Sequence, residues 1–294
     1  MLITLLAGCG QPTPAPTQRQ PDQSAAPATP SVGASSTGDE PDDSPSATPS
    51  AKPPTRKVLL DEDFSGDTLD RTNWNTCHWW DDDGCTITSN NELQWYRPEG
   101  VRVADGALQL VAERGDQRAS DGETYPFRSG MVTTGPTKQD GDPKVAFTYG
   151  IVEARLRVPS GQGLWSAMWL LPASTESRPE IDVMEILGND PTEAILHFHP
   201  QNRKAKSPSK TVTPRGVAFS KGWHDFRIDW SPNRLDYVID GKRVWRVSGA
   251  QVPDEPMYLI FNLAVGGVYP GDPGASTNFP ATFAIDRVKI TAGA

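Results

Sequence analysis

Three carboxylates fall within the six residues 180–185, Glu-Ile-Asp-Val-Met-Glu, and only apolar side chains separate them. In a regular β-strand Glu180 and Asp182 would share one face, whereas Glu185 would point to the other. One extra residue, accommodated as a β-bulge at Val183-Met184, would bring Glu185 round to join them. The sequence therefore predicts a bulged strand with three acids on one face and apolar residues on the other.

Acids held this close together suit one kind of chemistry. Like charges a few ångströms apart raise one another's pKa, so one carboxyl stays protonated while another ionises. Glycoside hydrolysis with retained configuration needs that pair, an acid and a nucleophile about 5–5.5 Å apart. The long side chains of Glu180 and Glu185 can converge to that separation. The alternative is a solvated acidic strand face, which the flanking apolar residues disfavour.

Residues 1–9 form a short apolar run that ends in Leu6-Ala7-Gly8-Cys9. Small residues before a cysteine are typical of a lipoprotein signal. We expect residues 1–9 to be such a signal and Cys9 to be the lipidation site. The protein would then be exported, either lipid-anchored at a bacterial cell surface or secreted. A basic opening segment is missing, which favours a start further upstream; a plain apolar N-terminus is the alternative.

Residues 10–57 are rich in Pro, Ser, Thr and Ala and contain no aromatic residue. Such a segment buries too little surface to offset its ordering entropy, so we expect a disordered linker. The nine Trp residues all lie in the segment 58–294, which we expect to form one catalytic domain. No apolar run reaches the ~20 residues that a membrane-spanning helix needs, so any membrane contact would be made through the lipid anchor. The net charge of −9, without a basic stripe, argues against nucleic acid as a partner.

Short alternating segments, separated by Gly, Pro, Asn and Asp, recur through residues 58–294, and helical periodicity is nearly absent. Asp240-Gly241 between two such segments is a type I′ hairpin signal. The nearly continuous apolar run Pro256–Leu263 predicts a buried strand. This pattern predicts an all-β fold, a two-sheet antiparallel β-sandwich in which one sheet curves into a concave substrate cleft.

Charged and aromatic residues are candidates to line that cleft. Glu153 and Arg155 share the charged face of the segment Tyr149–Val158 and are predicted to hydrogen-bond sugar hydroxyls. A solvated face with a cross-strand ion pair is the alternative. Trp165 and Trp169 are predicted to stack on pyranose rings, with burial in the core as the alternative for each.

His197 and His199 share a strand face. We expect them to form hydrogen bonds on the floor of the cleft, and a purely structural role is the alternative. A zinc site is disfavoured because no third ligand follows at metal spacing.

Cys77 and Cys85 are the cysteines that remain after Cys9. In an exported protein such a close pair is predicted to form a local disulfide that pins a loop. A free buried pair is the alternative.

Taken together, these segments resemble glycoside hydrolase family 16, and within it the laminarinase-like branch of endo-β-1,3-glucanases. The resemblance is carried by the bulged run Glu180–Glu185 in the company of Asn90–Gln94, Tyr149–Arg155, Pro159–Trp169, Lys221–Asp225 and Leu259–Gly267. It implies a jelly-roll, concanavalin A-like sandwich and a retaining endo-acting glucanase. The substrate it implies is a β-glucan, β-1,3-glucan first, and catalysis needs no cofactor.

By motif position, the resemblance implies a role for each acid. Glu180 is similar to the family's nucleophile, Glu185 to its acid/base, and Asp182 to the residue between them that tunes protonation. Asn90, together with Glu153 and Arg155, resembles the family's glycone-side sugar contacts, and Trp165 and Trp169 resemble its cleft walls.

Two departures from the family pattern bear on the substrate. The family often places Arg after a Ser-Gly pair, where this chain has Met131 after Ser129-Gly130. Either Arg128 compensates from the other side of the turn, or the subsite differs. The Cys77–Cys85 loop with Trp79-Trp80 is not a common family element either, and it is expected to reshape one end of the cleft.

Family members often carry a structural calcium ion remote from the cleft. Asp286 matches the family's aspartate ligand, Gly106 matches a carbonyl donor, and Asp63 is a weaker candidate. A plain surface charge is the alternative for Asp286.

Other functions remain open on the sequence alone. The same residues serve hydrolysis or transglycosylation of another β-linked polymer, such as a mixed-linkage glucan or a galactan. A non-catalytic cell-surface carbohydrate-binding protein is a further alternative, which the complete set of three acids disfavours. We expect a monomer.

Overall fold

A computed structural model describes residues 56–80, 85–214 and 216–293. The predicted signal, its Cys9 and nearly all of the predicted linker lie outside these residues. The described part belongs to one unit, Lys52–Ala294, and its first strand begins at Lys57. The predicted domain boundary at residue 58 stays a prediction.

Strands dominate the described residues, together with two short 3₁₀ helices, Thr88–Asn90 and Pro98–Gly100. The strands are β1 (Lys57–Glu62), β2 (Gln94–Tyr96), β3 (Val101–Ala104), β4 (Ala107–Arg118), β5 (Thr124–Ser129), β6 (Met131–Thr133), β7 (Gly150–Arg157), β8 (Leu164–Pro172), β9 (Glu180–Leu187), β10 (Ala194–His199), β11 (Ser209–Val212), β12 (His224–Ser231), β13 (Arg234–Ile239), β14 (Lys242–Ser248), β15 (Met257–Val265) and β16 (Ala281–Ala292). No helix in the described part of the chain is long and apolar enough to cross a membrane.

The strands form two sheets. The larger sheet has ten strands in the order β14-β13-β12-β7-β16-β4-β5-β2, with β1 beside β16 and β3 beside β4. The smaller sheet has six, in the order β11-β10-β9-β8-β15-β6. Apart from β2, which runs parallel to β5, the paired strands are antiparallel. The predicted all-β, two-sheet antiparallel sandwich is therefore confirmed.

The two sheets enclose the main hydrophobic core. Alternation along each strand turns one set of side chains inward, as in β7, where Val152, Ala154 and Leu156 are buried. From the six-stranded sheet, Phe261 packs against Phe283 of the larger one, with ring centroids 6.3 Å apart. Burial of these inward faces is what holds the sheets together.

β15 is buried along both faces, which explains its uninterrupted apolar sequence. Leu259, Phe261 and Leu263 face the main core, whereas Tyr258 and Ile260 face a second apolar cluster on the outer side of the sheet. That second cluster joins the six-stranded sheet to residues 77–80 and 85–96. These residues therefore form a wall over part of the outer face.

The tight hairpin between β13 and β14 has the turn residues that the sequence indicated. Asp240 and Gly241, between β13 and β14, both have positive φ angles, 48° and 74°. Positive φ at both central residues is the requirement of a type I′ turn. The predicted hairpin at this position is present.

Candidate active site

The bulge in β9 brings the three acids together. The pairing with β8 sets Met168 opposite Met184 but Trp169 opposite Asp182, so β9 has one residue more than its partner at this step. The pairing with β10 is irregular at the same place. Glu180, Asp182 and Glu185 consequently line one cavity on the outer face of the six-stranded sheet.

Two of the acids, Glu180 and Asp182, are placed in a setting that disfavours ionisation. Asp182 is 4% exposed and Glu185 is 7% exposed. Burial, followed by the charge on Asp182, raises the pKa of Glu180 well above its usual range. Burial and the charge on Glu185 likewise raise the pKa of Asp182. Simultaneous ionisation of the neighbouring carboxyls is therefore disfavoured, which suits a nucleophile and an acid that work together.

His197 and His199, on the neighbouring strand β10, contact these acids. The Nδ1 atom of His197 lies 2.5 Å from Oε2 of Glu185, and this hydrogen bond raises the pKa of His197. The Nε2 atom of His199 lies 3.4 Å from Oδ2 of Asp182, and burial lowers the pKa of His199. Both imidazoles thus contact the acids from β10, where they can orient the carboxyls.

These histidines also form a possible set of metal ligands with Asp182. One ligand atom from each of Asp182, His197 and His199 lies within 4.8 Å of the others. Sequence spacing did not reveal the third ligand, because Asp182 comes from the adjacent strand. A transition metal bound here would occupy the carboxyls that the chemistry uses, so the trio is better suited to orienting acids than to holding a resident metal.

Both candidate tryptophans line the cleft. Trp165 and Trp169 are four residues apart on β8, so they share a face, and both contribute to the wall of the cavity that holds the acids. The Nε1 atom of Trp169 donates to Oδ1 of Asn262 at 2.8 Å. Trp165 packs edge-on against Tyr269, with ring centroids 5.1 Å apart. Asn90 lines the same cavity.

Glu153 and Arg155 lie far from the acids, and the prediction that they contact sugar in the cleft is wrong. Their strand β7 belongs to the ten-stranded sheet, between β12 and β16, and its polar face is the outer face of that sheet. There Arg155 forms an ion pair with Asp286 at 3.7 Å. The alternative of a solvated face with a cross-strand ion pair describes this surface.

Arg128 also lies outside the cleft, so its predicted sugar contact is wrong. It is exposed on β5 and lines a separate surface groove with Arg97 and Glu113. Its neighbours Phe127 and Ser129 are buried, and alternation therefore turns Arg128 outward. Met131 is fully buried in the second apolar cluster and fills space rather than offering a polar contact.

Glu92 is a residue of the cleft that the sequence analysis missed. It is 5% exposed, and its carboxyl accepts hydrogen bonds from Nδ2 of Asn90 at 3.0 Å, Nε2 of Gln94 at 2.5 Å and Oη of Tyr96 at 3.4 Å. Burial raises its pKa to about 7. Its place in the matched stretch Asn90–Gln94 was the available signal.

The network around Glu92 continues to the cleft wall. Nδ2 of Asn262 donates to Oη of Tyr96 at 3.0 Å, and Asn262 in turn accepts from Trp169. A continuous chain of hydrogen bonds therefore connects Asn90 to Trp169, two side chains that face the cleft. This chain holds both in place before any ligand arrives.

The Cys77–Cys85 segment supplies one end of the cleft. The two cysteines form a disulfide, with Cα atoms 5.0 Å apart. Next to the acids is a cavity of about 320 Å³, lined by Trp79 and Trp80 of this segment and by Trp169 and Glu180. The arrangement as a whole offers two glutamates with a third acid between them, and aromatic walls, which suits cleavage of a glycosidic bond.

Comparison with known proteins agrees with this chemistry. The sequence profile of the glycosyl hydrolases family 16 matches residues 89–289. The chain is 32% identical over 228 residues to the endo-1,3-1,4-beta-glycanase EglC of Rhizobium meliloti (strain 1021), which covers 74% of this chain and 47% of that protein. It is 31% identical over 268 residues to glucan endo-1,3-beta-glucosidase A1 of Niallia circulans, which covers 79% of this chain and 37% of that protein. The chain thus spans about half the length, or less, of these curated relatives.

The fold is similar to that of solved glucanases. The X-ray structure of the endo-beta-1,3-glucanase from Pyrococcus furiosus superposes with a TM-score of 0.71 at 29% sequence identity, covering 80% of this chain and 94% of that one. The family profile matches well over half of the chain, and the resemblance predicted from the motifs is confirmed. The chain belongs to the glycosyl hydrolases family 16.

Proposed function

We propose that this protein is a retaining endo-glycoside hydrolase that cleaves a β-glucan, with β-1,3-glucan as the preferred substrate. The observation that carries this proposal is the bulged strand β9, which sets Glu180, Asp182 and Glu185 on one face of an aromatic-walled cleft. The names of the Niallia circulans and Pyrococcus furiosus proteins support the β-1,3 preference and the endo mode of action.

The reaction proceeds by double displacement. Glu180 attacks the anomeric carbon while Glu185 donates its proton to the glycosidic oxygen, so the old C–O bond breaks and a glycosyl–Glu180 ester forms. Glu185, now ionised, removes a proton from water, and the resulting attack on the anomeric carbon releases the sugar and restores Glu180. His197 holds Glu185 in position through its short hydrogen bond.

Asp182 controls where the shared proton lies. It lies between Glu180 and Glu185 on β9, and its charge helps to raise the pKa of Glu180. An ionised Asp182 accepts a hydrogen bond from the protonated carboxyl of Glu180, whereas a protonated Asp182 donates one to the Glu180 carboxylate. Glu180 is therefore ready to attack when the shared proton lies on Asp182.

Product analysis of the full-length protein on laminarin, lichenan and a β-galactan tests the proposal, with the Glu180→Gln variant beside it. We expect short β-1,3-gluco-oligosaccharides from the wild-type protein and at least ~10³-fold slower turnover from the variant. The exposed Glu176→Gln is the matched control and is expected to cleave like the wild-type protein.

Each other outcome contradicts a named part of the proposal. Cleavage of the galactan alone would replace the substrate, and products longer than the starting chains would replace hydrolysis by transglycosylation. Binding of a glucan without cleavage would make the protein a carbohydrate-binding protein. Wild-type turnover by Glu180→Gln would overturn the assigned nucleophile.

We also propose a structural calcium ion at a corner of the ten-stranded sheet. The register sets Ile285 opposite Leu108 and Val288 opposite Glu62. Asp286, Gly106 and Asp63, each close to one of these pairs, therefore fall near the same corner. Carboxylate and carbonyl oxygens are the ligands that Ca²⁺ prefers.

We further propose that the protein is exported, held at a bacterial cell surface by a lipid on Cys9 or secreted, and active as a monomer. The small residues before Cys9 and the aromatic-free stretch 10–57 support this. Such a tether would hold the hydrolase away from the surface and within reach of polymeric substrate.

A further inference from the structure

A cavity of about 320 Å³ continues from the catalytic acids toward the disulfide-linked segment. It shares Glu180 and Trp169 with the cavity that holds the three acids, so a ligand at the acids would extend directly into it. Its volume is at the small end of ligand pockets, which range over ~300–1,000 Å³. It has room for a short stretch of a sugar chain.

Trp80 is held in a fixed orientation at this cavity. The imidazole of His78 stacks on the indole of Trp80, with ring centroids 3.9 Å apart and planes inclined by 19°. Trp79 meets Trp80 edge-on at 5.5 Å. One face of the Trp80 indole is thus covered by protein, while the half-buried residue still lines the cavity. A free aromatic surface remains on the side where a ligand would lie.

His78 serves as a rigid support in this arrangement. It is 2% exposed, and among the described residues neither of its ring nitrogens has a hydrogen-bond partner. Burial lowers its pKa to about 3, so the ring is neutral at physiological pH. An uncharged imidazole without polar partners contributes its flat face and little else.

The segment is anchored at several points, so the indoles do not need ligand to order them. Nε1 of Trp79 donates to Oη of Tyr258 at 2.8 Å, across to β15. The Cys77–Cys85 disulfide closes the segment, and the carbonyl of Cys85 accepts from the backbone of Tyr96 at 2.7 Å. A preorganised aromatic wall binds with less loss of entropy than a flexible one.

The chemistry of the lining selects an uncharged sugar. Trp80 and Trp169 are inclined by 54° with centroids 6.1 Å apart, and such aromatic walls suit the apolar faces of a pyranose ring. Asn90 and Glu180 supply the few polar contacts. An anionic sugar would be repelled by the neighbouring acids whenever these are ionised.

We propose that Trp80, backed by His78, forms a sugar subsite next to Glu180, where a neutral hexopyranose unit of the substrate chain stacks on the indole. The subsite makes the protein favour chains long enough to fill both this cavity and the space over the acids. This inference rests on the proposed glucanase function and names a specificity-determining residue within it.

Binding and turnover of the Trp80→Ala variant test the subsite in the full-length protein. On laminarin we expect KM to rise roughly tenfold, since one aromatic stacking contact is worth about that factor. The rise should shrink as laminari-oligosaccharides are shortened, because short chains leave the cavity empty. The KM of Trp80→Phe, which keeps a smaller ring, should lie between the KM of the wild-type protein and that of Trp80→Ala.

Trp223→Ala is the matched control. Its indole lies under the guanidinium of Arg157 on the ten-stranded sheet, 5.0 Å away, and its loss should leave KM unchanged. A thermal scan of each variant shows whether the fold is intact. A Cys77→Ser/Cys85→Ser double variant, which releases the segment without touching Trp80, should raise KM on long chains in the same direction.

The result that overturns the subsite is distinct from the failure of the proposed function. If the wild-type protein cleaves laminarin and the folded Trp80→Ala variant has the same KM at every chain length, the subsite is wrong. If the wild-type protein cleaves no glucan, the proposed function fails first. Calorimetry then compares the Kd of laminari-oligosaccharides for Glu180→Gln with their Kd for the Glu180→Gln/Trp80→Ala double variant. Equal Kd values would reject the subsite.

Discussion

Replacing Glu92 with glutamine is expected to change the stability of the fold in a pH-dependent way. Burial raises the pKa of Glu92 to about 7, against 4.5 for an ordinary glutamate. Between these two pH values the folded protein keeps a proton that the unfolded chain has lost. The wild-type free energy of unfolding therefore falls as the pH rises through this window and levels off above it.

The size of the effect follows from the shift in pKa. At 1.36 kcal/mol for each pH unit, the fall amounts to roughly 3 kcal/mol. Glutamine does not titrate, so this fall is absent from Glu92→Gln. The glutamine amide also turns an N–H group toward the donors of Asn90, Gln94 or Tyr96. This clash lowers the free energy of unfolding by about 1–3 kcal/mol, by an amount that depends little on pH. The other buried acids are present in both proteins and cancel in the comparison.

Thermal unfolding of both proteins at pH 5 and pH 8 measures this. About 2.5 kcal/mol of the fall lies between pH 5 and pH 8. Relative to the wild-type protein, Glu92→Gln should therefore gain about 5–10 °C in Tm between the two pH values, at ~2–4 °C for each kcal/mol. The exposed Glu176→Gln is the control and should follow the wild-type protein at both. A Tm difference between Glu92→Gln and wild type that is the same at pH 5 and pH 8 would refute the reasoning.

Two further predictions concern the catalytic acids and the calcium corner. Asp182→Asn removes a charge that raises the pKa of Glu180. The acidic limb of the kcat/KM profile should therefore move to lower pH, while kcat falls by about 10²-fold or more. A pH–rate profile checks this, and an acidic limb at the wild-type pH would contradict it. Chelation of calcium by EDTA should lower Tm by about 5–10 °C. This is the loss expected when an ion present at a concentration of ~100 times its Kd is removed. Asp286→Asn should no longer respond to EDTA, and an equal response in both proteins would reject Asp286 as a ligand.

The catalytic acids were predictable because their constraints are local. Three carboxylates interrupted by Ile181 and Val183 can share a face only through a bulge, and the bulge lies where that reasoning places it. Spacing along one strand also places Trp165 and Trp169 on a common face, but it left open whether that face meets the cleft or the core.

The wrong predictions of sugar contacts arose because the sequence shows where a strand is but not where it lies in the two sheets. The alternation of β7 was read correctly, but alternation does not reveal which sheet a strand joins or which outer face forms the cleft. Glu153 and Arg155 therefore went to the wrong side of the sandwich, and Arg128 was placed by its neighbours along the chain. The Glu92 network was out of reach for a related reason: the hydrogen bond from Asn262 to Tyr96 joins residues 166 positions apart.

The bulge in β9 also sets how this fold could gain or lose its activity in evolution. Substitution of a single acid would leave the other two in place, and a later reversion could restore the site. Deletion of one residue at Val183–Met184 would remove the residue that the bulge accommodates and leave a regular strand. The third acid would then follow Glu180 by four positions and would still share its face. Glu185 would turn toward the core only if the bulge were lost while every residue was kept, so the site depends on how β9 pairs with its neighbours as much as on the acids themselves.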